Sequence, residues 1–343
     1  MNRYDEKYIF RRADESDIED IVAFMDQEWK KDGILSNAEF LKYEFGAYDG
    51  INFILAIHKE RKEIQGLWGY YYFSKNESVR DVAGGPWKVK QSPDNIPFLG
   101  NEIMLRAKEI IGYRVMLGVG DKPNTSGMYH RRIRKDVVDK LNHYYLLNDE
   151  MPQKIAEIKE VPVKKEKFAE ESKYEFRKIT APEEIENEFW DSLSEEAIPY
   201  KDKWYIEKRF FNHPVYKYHL VGICMDNQIK ALMIFRKIDV NDSSVLRMVD
   251  YIGNKDCIQW CQEFIVSYMK QLRCEYVDFC NYGIPEKYLE NAGFVKRTEE
   301  DVNIIPHYFE PFVQKNVDIY FSSPIADVTI CKADGDQDRP NFI

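Results

Sequence analysis

The sequence predicts an α/β (α+β) chain made of two tandem domains of one design, each a mixed central sheet flanked by helices. Three observations point there. A length of 343 residues exceeds what one small core holds. A hydrophobic content of 44% beside 31% charged residues is that of a folded, globular chain. And the order of strand-like and helix-like segments runs through once, then starts again after a charged interruption near residue 150.

In the first half, residues 7–13 (KYIFRRA) alternate as a strand does. Asp14, Glu15, Ser16 and Asp17 form an N-cap cluster, and Ile18, Ile21, Val22, Phe24, Met25 and Trp29 follow at helical spacing. Ser36 and Asn37 cap a second helix with Phe40, Leu41, Tyr43 and Phe45. Residues 52–59 and 64–74 are strands across the charged turn 60–63, and 79–89 is a third, interrupted by Gly84-Gly85-Pro86 as a bulge or wide loop. The segment 141–148 (LNHYYLLN) is expected to close this first sheet, which sets the first domain at 1–149.

Residues 150–172 mix dense opposite charges with Pro152 and Pro162, the composition of a linker. The second domain, 173–323, repeats the order. A strand at 174–179 precedes a helix opened by Thr180-Ala181-Pro182, and a second helix covers 204–211. Strands at 218–225, 229–238 and 245–252 lead to a helix at 256–272, a strand at 274–281, a helix at 285–292 and a last strand near 317–321. A polar tail, 324–343, ends the chain.

Chemistry concentrates in residues 96–129, IPFLGNEIMLRAKEIIGYRVMLGVGDKPNTSGMY. The turn Phe98-Leu99-Gly100-Asn101 opens a helix with Ile103, Leu105, Ala107, Ile110 and Ile111 on a helical repeat. Gly112 stops it, a buried-type strand follows at 114–119, and a cap at Asn124 leads into a shorter helix carrying Tyr129. The first helix begins with free N–H groups and a positive dipole end, and Gly100 admits a ligand close to the backbone, a combination that suits a pyrophosphate. Phe98, Leu99, Gly100, Asn101 and Asn124 are the expected binding residues. The plainer reading of the turn is a helix cap.

This succession resembles the acyl-CoA-binding half of a GCN5-related N-acetyltransferase (GNAT). The opening FRRADESDIEDIVAFM is similar to that family's first strand and helix. The ending Tyr288-Leu289-Glu290-Asn291-Ala292-Gly293-Phe294 is similar to its late Tyr-to-Gly-Phe pattern. The family's turn reads Arg/Gln-x-x-Gly-x-Gly/Ala; here Asn95-Ile96-Pro97-Phe98-Leu99-Gly100 matches only in the last glycine. In the second copy Asp250-Tyr251-Ile252-Gly253-Asn254 stands in its place. The resemblance implies one competent copy and one supporting copy.

It also implies acetyl-CoA or another acyl-CoA as co-substrate, and attack of an amine on the thioester. Tyr129 is the expected proton donor to the leaving thiolate, or else a half-buried aromatic. His143, Asp81 and Asp250 are candidates for the base. A lone His in a strand is more often structural, and Asp250 has an ion pair with Arg247 or a cap to the next helix as its plainer role. The tandem layout, LNHYYLLN, IPHYFEPF (305–312) and DGDQDRPN (334–341) resemble acyltransferase-like proteins of bacterial surface-polysaccharide synthesis, which implies a nucleotide-linked amino sugar as acceptor. The alternatives are a Fem-like aminoacyltransferase and a non-catalytic GNAT-fold binding protein.

Other classes are set aside by composition. Lys+Arg 49 against Asp+Glu 59 gives a net charge of −10, which argues against a general nucleic-acid surface. No apolar run nears the roughly 20 residues of a membrane span. The start, MNRYDEKYIFRR, lacks a signal-peptide core, so a cytoplasmic protein is expected. All six cysteines lie in the second half without a Cys-x-x-Cys or a zinc spacing, so buried reduced thiols and no metal are expected. The Asp-rich tail lacks the Gly and Glu of a calcium loop, and either stays solvated or closes over a polar substrate. Of the aromatics at Trp68, Tyr70, Tyr71, Tyr72 and Phe73, most are core, with Tyr71 the candidate for a ligand-facing surface. A homodimer is among the states the sequence leaves open.

Overall fold

The alternation read in KYIFRRA and the helical repeats behind it each build a sheet layer with helices laid on it. The computed structural model describes residues 2–162 and 173–341. The chain divides into two compact units, Met1–Gly118 with Arg339–Ile343, and Val119–Asp338.

The first unit runs β1 (Tyr8–Ala13), α1 (Ile18–Phe24), α2 (Ala38–Phe45), β2 (Gly50–His58), β3 (Ile64–Tyr72), β4 (Asp81–Val89), α3 (Leu99–Ile111) and β5 (Val115–Asp121), with Val119 onward counted in the second unit. The sheet order is β1-β2-β3-β4-β5. Neighbours are antiparallel except β4 and β5, which are parallel. The N-cap cluster works as expected: Asp14 accepts from Ser16 N–H, and Asp17 accepts from Asp14 N–H and pairs with Arg11 at 2.6 Å. Ile18, Ile21 and Phe24 meet Phe40, Leu41 and Phe45 over Phe53, Leu55 and Leu67 of the sheet. Alternation sends Trp68 and Tyr70 to the other face, stacked with centroids 5.3 Å apart.

The second unit contains α4 (Ser126–Tyr129), β6 (Asn142–Leu147), β7 (Glu175–Ile179), α5 (Asn187–Ser192), α6 (Lys203–Ile206), β8 (Tyr218–Met225), β9 (Gln228–Val240), β10 (Ser243–Gly253), α7 (Gln262–Gln271), β11 (Tyr276–Tyr282), α8 (Glu286–Asn291) and β12 (Ile330–Cys331). From β7 onward the element order is that of the first unit. The sheet order is β6-β11-β10-β9-β8-β7, with Val295 and Lys296 paired to the outer side of β6, again with one parallel pair, β10 and β11. The two mixed sheets flanked by helices are the fold class the sequence predicts.

Three expectations are corrected. The segment LNHYYLLN does not close the first sheet. It forms β6, antiparallel to β11 from Leu147↔Tyr276 to Asn142↔Asn281. Tyr144 and Leu146 enter one core with Val277 and Phe279, while Tyr145 enters another with Ile155 and Tyr276. A strand buried on both faces needs an interior place in a covered sheet, and β11 supplies it. The division therefore falls near 118, not 149.

Residues 150–162 are not a loose linker. The buried Glu275 carboxylate accepts N–H bonds from Lys154 at 2.8 Å and Ile155 at 2.9 Å, and Glu157 bridges to Ile304. The rest of the expected linker, 163–172, lies outside the described residues. Finally, the tail is not a solvated end: Ile330, Cys331, Lys332, Asp334 and Asp338 are all buried. All six cysteines are buried and unbonded to one another. Among the described residues no helix is long and apolar enough to cross a membrane.

Candidate functional site

The mouth of α3 is built by the chain before it. Tyr4 donates its hydroxyl to the Pro97 carbonyl at 2.7 Å, Ile96 N–H donates to the Tyr8 hydroxyl at 3.0 Å, and Asn95 Nδ2 donates to the Lys90 carbonyl at 2.9 Å. Phe98 enters the helix in the left-handed region, φ +65°, which is costly for a large side chain. Its ring is 80% exposed and so does not plug the mouth, whereas Leu99 is buried. The N-cap residue, Phe98, makes no side-chain cap bond. The first i→i−4 bond runs from Glu102 N–H to the Phe98 carbonyl, so the amides of residues 99–101 precede the helical ladder. Glu102 itself pairs with Arg106 at 2.9 Å.

Gly100 packs against Trp87. A Cβ there would stand 3.2–3.4 Å from the Trp87 indole, whose Nε1 donates to the Gly100 carbonyl at 3.2 Å. The absence of a Cβ makes room for the tryptophan ring.

Beside this mouth, β4 and β5 pair over Asp81↔Val115, Val82↔Met116 and Ala83↔Leu117, and there the pairing ends, although both strands continue. The expected bulge at Gly84-Gly85-Pro86 marks the parting. Asp81 is fully buried in a two-point bond with Arg114 at 2.9 and 2.6 Å, a structural part. Tyr71 packs on Phe45, centroids 5.1 Å apart, and accepts from Arg339 at 3.4 Å.

The second unit holds the remaining predicted residues. Asn124 is exposed in the turn after β5 and is not the cap; Thr125 holds that position, and Ser126 Oγ accepts from Lys122 N–H at 3.0 Å. Tyr129 is half-buried on α4, its ring edge-on to His130 with centroids 5.6 Å apart. His143 is buried in β6 with Nε2 3.2 Å from Asp278 Oδ2. Burial pushes its imidazole below the usual range, against the pull of Asp278. Asp278 in turn takes Arg247 at 3.0 and 2.7 Å; burial works to raise its carboxyl, but Arg247 and His143 hold it well below the usual range. Asp250 is fully buried and bonds Lys201 at 2.6 Å, not Arg247. His143 and Asp250 are both buried, each beside an oppositely charged or hydrogen-bonding partner.

The second unit also parts its parallel pair, after Met248↔Phe279. Here β12 fills the space, pairing Cys331 with Asn281 and Ile330 with Tyr282. A clasp holds it: Lys201 Nζ lies 2.6 Å from Asp250 and 2.5 Å from Asp334, and Asp334 accepts from Cys331 N–H at 2.8 Å. Two buried groupings of the kind that metals use are thus met by side-chain cations. The Arg247 guanidinium pairs with Asp278, beside His143 and Cys280, and the Lys201 ammonium pairs with Asp250 and Asp334, beside Cys331. Asn254 caps the following turn by accepting from Asp256 N–H at 3.2 Å.

Sequence reasoning missed Lys201, Asp334, Asp338 and Lys332. Arg236 and Tyr218 bond the Asp338 carboxylate at 2.6 and 2.9 Å, and Lys332 donates to the His307 carbonyl at 2.7 Å. The available signal was the apolar run VTIC before Asp334, which marks a buried segment rather than a solvated one.

Two sheets of this order, each with a parallel pair that parts beside a helix start, define an acyltransferase-type fold: the chain has the fold of the GCN5-related N-acetyltransferases. It is similar to the GCN5-related N-acetyltransferase of Anabaena variabilis with a TM-score of 0.53 at 12% identity, covering 92% of this chain and 72% of that one. It is likewise similar to the GCN5-related N-acetyltransferase of Kribbella flavida, TM-score 0.50 at 8% identity, covering 94% and 72%. No protein-family model matches the sequence, and no curated protein does.

Proposed function

We propose that the chain is an acyl-CoA-dependent N-acyltransferase that moves an acetyl or other acyl group to the amine of a small polar acceptor, with the first copy holding the coenzyme. The observation that carries this reading is the parting of β4 from β5 after Ala83 and Leu117, next to the start of α3. Strand groups released from the ladder need partners. The amide-bearing arm of coenzyme A is an extended chain of the kind that pairs with a strand edge, and the first-turn amides of α3 suit its diphosphate. The corresponding place in the second copy is taken by β12, which supports one competent and one supporting copy.

Tyr129, on the helix that follows β5, is the proposed proton donor to the leaving thiolate. The acceptor nitrogen attacks the thioester carbonyl; the C–N bond forms, the C–S bond breaks, and the amine proton leaves to water or a carboxylate. Gly335 and Gln337 lie against Val119 and Gly120 at the end of β5, so the tail borders that strand. The acceptor class proposed is a nucleotide-linked amino sugar, on the likeness of segments 141–148, 305–312 and 334–341 to surface-polysaccharide acyltransferases.

The test is calorimetry with coenzyme A, followed by incubation with acetyl-CoA and a panel of nucleotide-linked amino sugars while free thiol is recorded. Saturable binding and acceptor-dependent thiol release are expected. No binding and no release would leave a GNAT-fold binding protein.

A further inference from the structure

We infer that the turn following Tyr129 is a docking surface for an anionic lipid bilayer, meeting the headgroups with its cations and the acyl boundary with Ile133. The inference does not depend on the acyltransferase reading.

Residues 122–135, KPNTSGMYHRRIRK, hold five cations and no carboxylate, in a chain whose net charge is −10. The carboxylates that bracket this stretch in sequence are Asp121, Asp136 and Asp139. Asp136 is taken by Arg134 and His130, each at 2.8 Å, and Asp121 lies 4.0 Å from His130 Nε2. Close by in sequence, Lys140 is held by Glu299 and Asp318. Among the described residues Lys122, Arg131, Arg132 and Lys135 make no ion pair, and all four are exposed. The Arg131 guanidinium reaches only the Val138 carbonyl, at 3.3 Å. Four bare cations therefore stand against one exposed carboxylate, Asp139.

The turn that carries them is pinned at both ends. His130 and Asp136 are buried against each other, and Asp136 N–H donates to the His130 carbonyl at 3.1 Å. Lys135 closes the turn in the left-handed region, φ +65°. Between them His130–Arg134 forms one π-helical turn, a rare form that frequently marks functional sites. Set among the cations, Ile133 is 65% exposed and Met128 39%.

Cations alone would suit any polyanion. The apolar side chains choose among them. Burying Ile133 and Met128 is not rewarded against a free phosphate or a nucleic-acid backbone, which are bound through charge. At a bilayer surface it is rewarded, because apolar groups enter the headgroup–acyl boundary while Lys and Arg heads stay with the lipid phosphates. The acidic remainder of the chain is repelled by the same lipids, so the docking is oriented with this turn inward.

The experiment is co-sedimentation of the full chain with vesicles of phosphatidylcholine alone, and of phosphatidylcholine and phosphatidylglycerol in equal parts. Binding to the mixed vesicles is expected, falling as salt is raised, with little on phosphatidylcholine alone. Each cation at the surface is worth about five-fold, so Arg131→Gln/Arg132→Gln/Lys135→Gln should weaken binding on the order of 100-fold. Removing three exposed lysines elsewhere, in Lys31→Gln/Lys108→Gln/Lys217→Gln, should not. Ile133→Ser should weaken it about ten-fold and leave its salt dependence unchanged. If a melting curve shows the arginine variant unfolded, Ile133→Ser decides. No binding to the mixed vesicles overturns the inference. So do equal losses in the two triple variants, which would report net charge alone. Binding that Ile133→Ser leaves intact, or that inorganic phosphate or an RNA oligonucleotide displaces at matched ionic strength, overturns it too.

Discussion

The Trp87 indole lies against Gly100, with Nε1 3.2 Å from the glycine carbonyl and the ring where a Cβ would begin. This contact joins β4 to α3, the two elements that flank the strand parting. Gly100→Val should overpack the contact and cost roughly 1–3 kcal/mol, read as a lower melting temperature. Adding Trp87→Ala should recover part of that loss, because the two changes share one contact. A Gly100→Val chain that melts like the parent yet loses coenzyme binding would return the glycine to a ligand role.

The clasp on β12 predicts a pH dependence. Burial, with the nearby Asp250 charge, pushes the Asp334 carboxyl up to about 7 against the pull of Lys201. Burial works to lower Lys201, but Asp250 and Asp334 outweigh it and hold the ammonium well above its usual range. A folded-state value raised above the unfolded one means stability is fully present below pH ~4 and is lost as pH rises toward 7. The slope from one such group is at most about 1.4 kcal/mol per pH unit. The melting-temperature gap between parent and Asp334→Asn should therefore shrink from pH 4.5 to 7.5; a gap that widens contradicts the assignment.

Local periodicity made most of this fold legible. The cap at Asp14 to Asp17, both sheets, and the restart after the charged segment follow from patterns within about ten residues. What failed was long-range. Nothing in LNHYYLLN says which sheet receives it, since a strand with two apolar faces suits either interior edge. Asp250 looked available because its partner, Lys201, is 49 positions away. The tail looked solvated because its charges were counted, while the arginine and lysine that neutralise Asp338 and Asp334 are distant in sequence. Gly100 was visible as a glycine, but its tenant Trp87 was not.

Arg247 and Asp278 form a buried two-point pair next to His143 and the His307 carbonyl. Removing only the carboxylate, in Asp278→Ala, leaves a guanidinium without its counter-ion and should cost about 3–5 kcal/mol in urea unfolding. Replacing both, as Arg247→Met with Asp278→Leu, should recover much of that, because desolvating the two charges offsets most of their attraction. Equal losses in the single and double variants would show that the cost lies in packing instead.

Tyr129 is where chemistry and packing readings separate most cleanly. Its half-buried ring lies edge-on to His130, and a phenylalanine keeps that contact while removing only the hydroxyl. If the hydroxyl protonates the departing thiolate, Tyr129→Phe should lower kcat by roughly 100-fold or more, within the range for a placed acid, with the KM for acyl-CoA nearly unchanged. Acyl donors with a more acidic thiol, which need less help in leaving, should lose less rate than acetyl-CoA. A variant with parental kcat and a lowered melting temperature would assign the residue to the packing of α4, and the proton donor would have to be sought elsewhere.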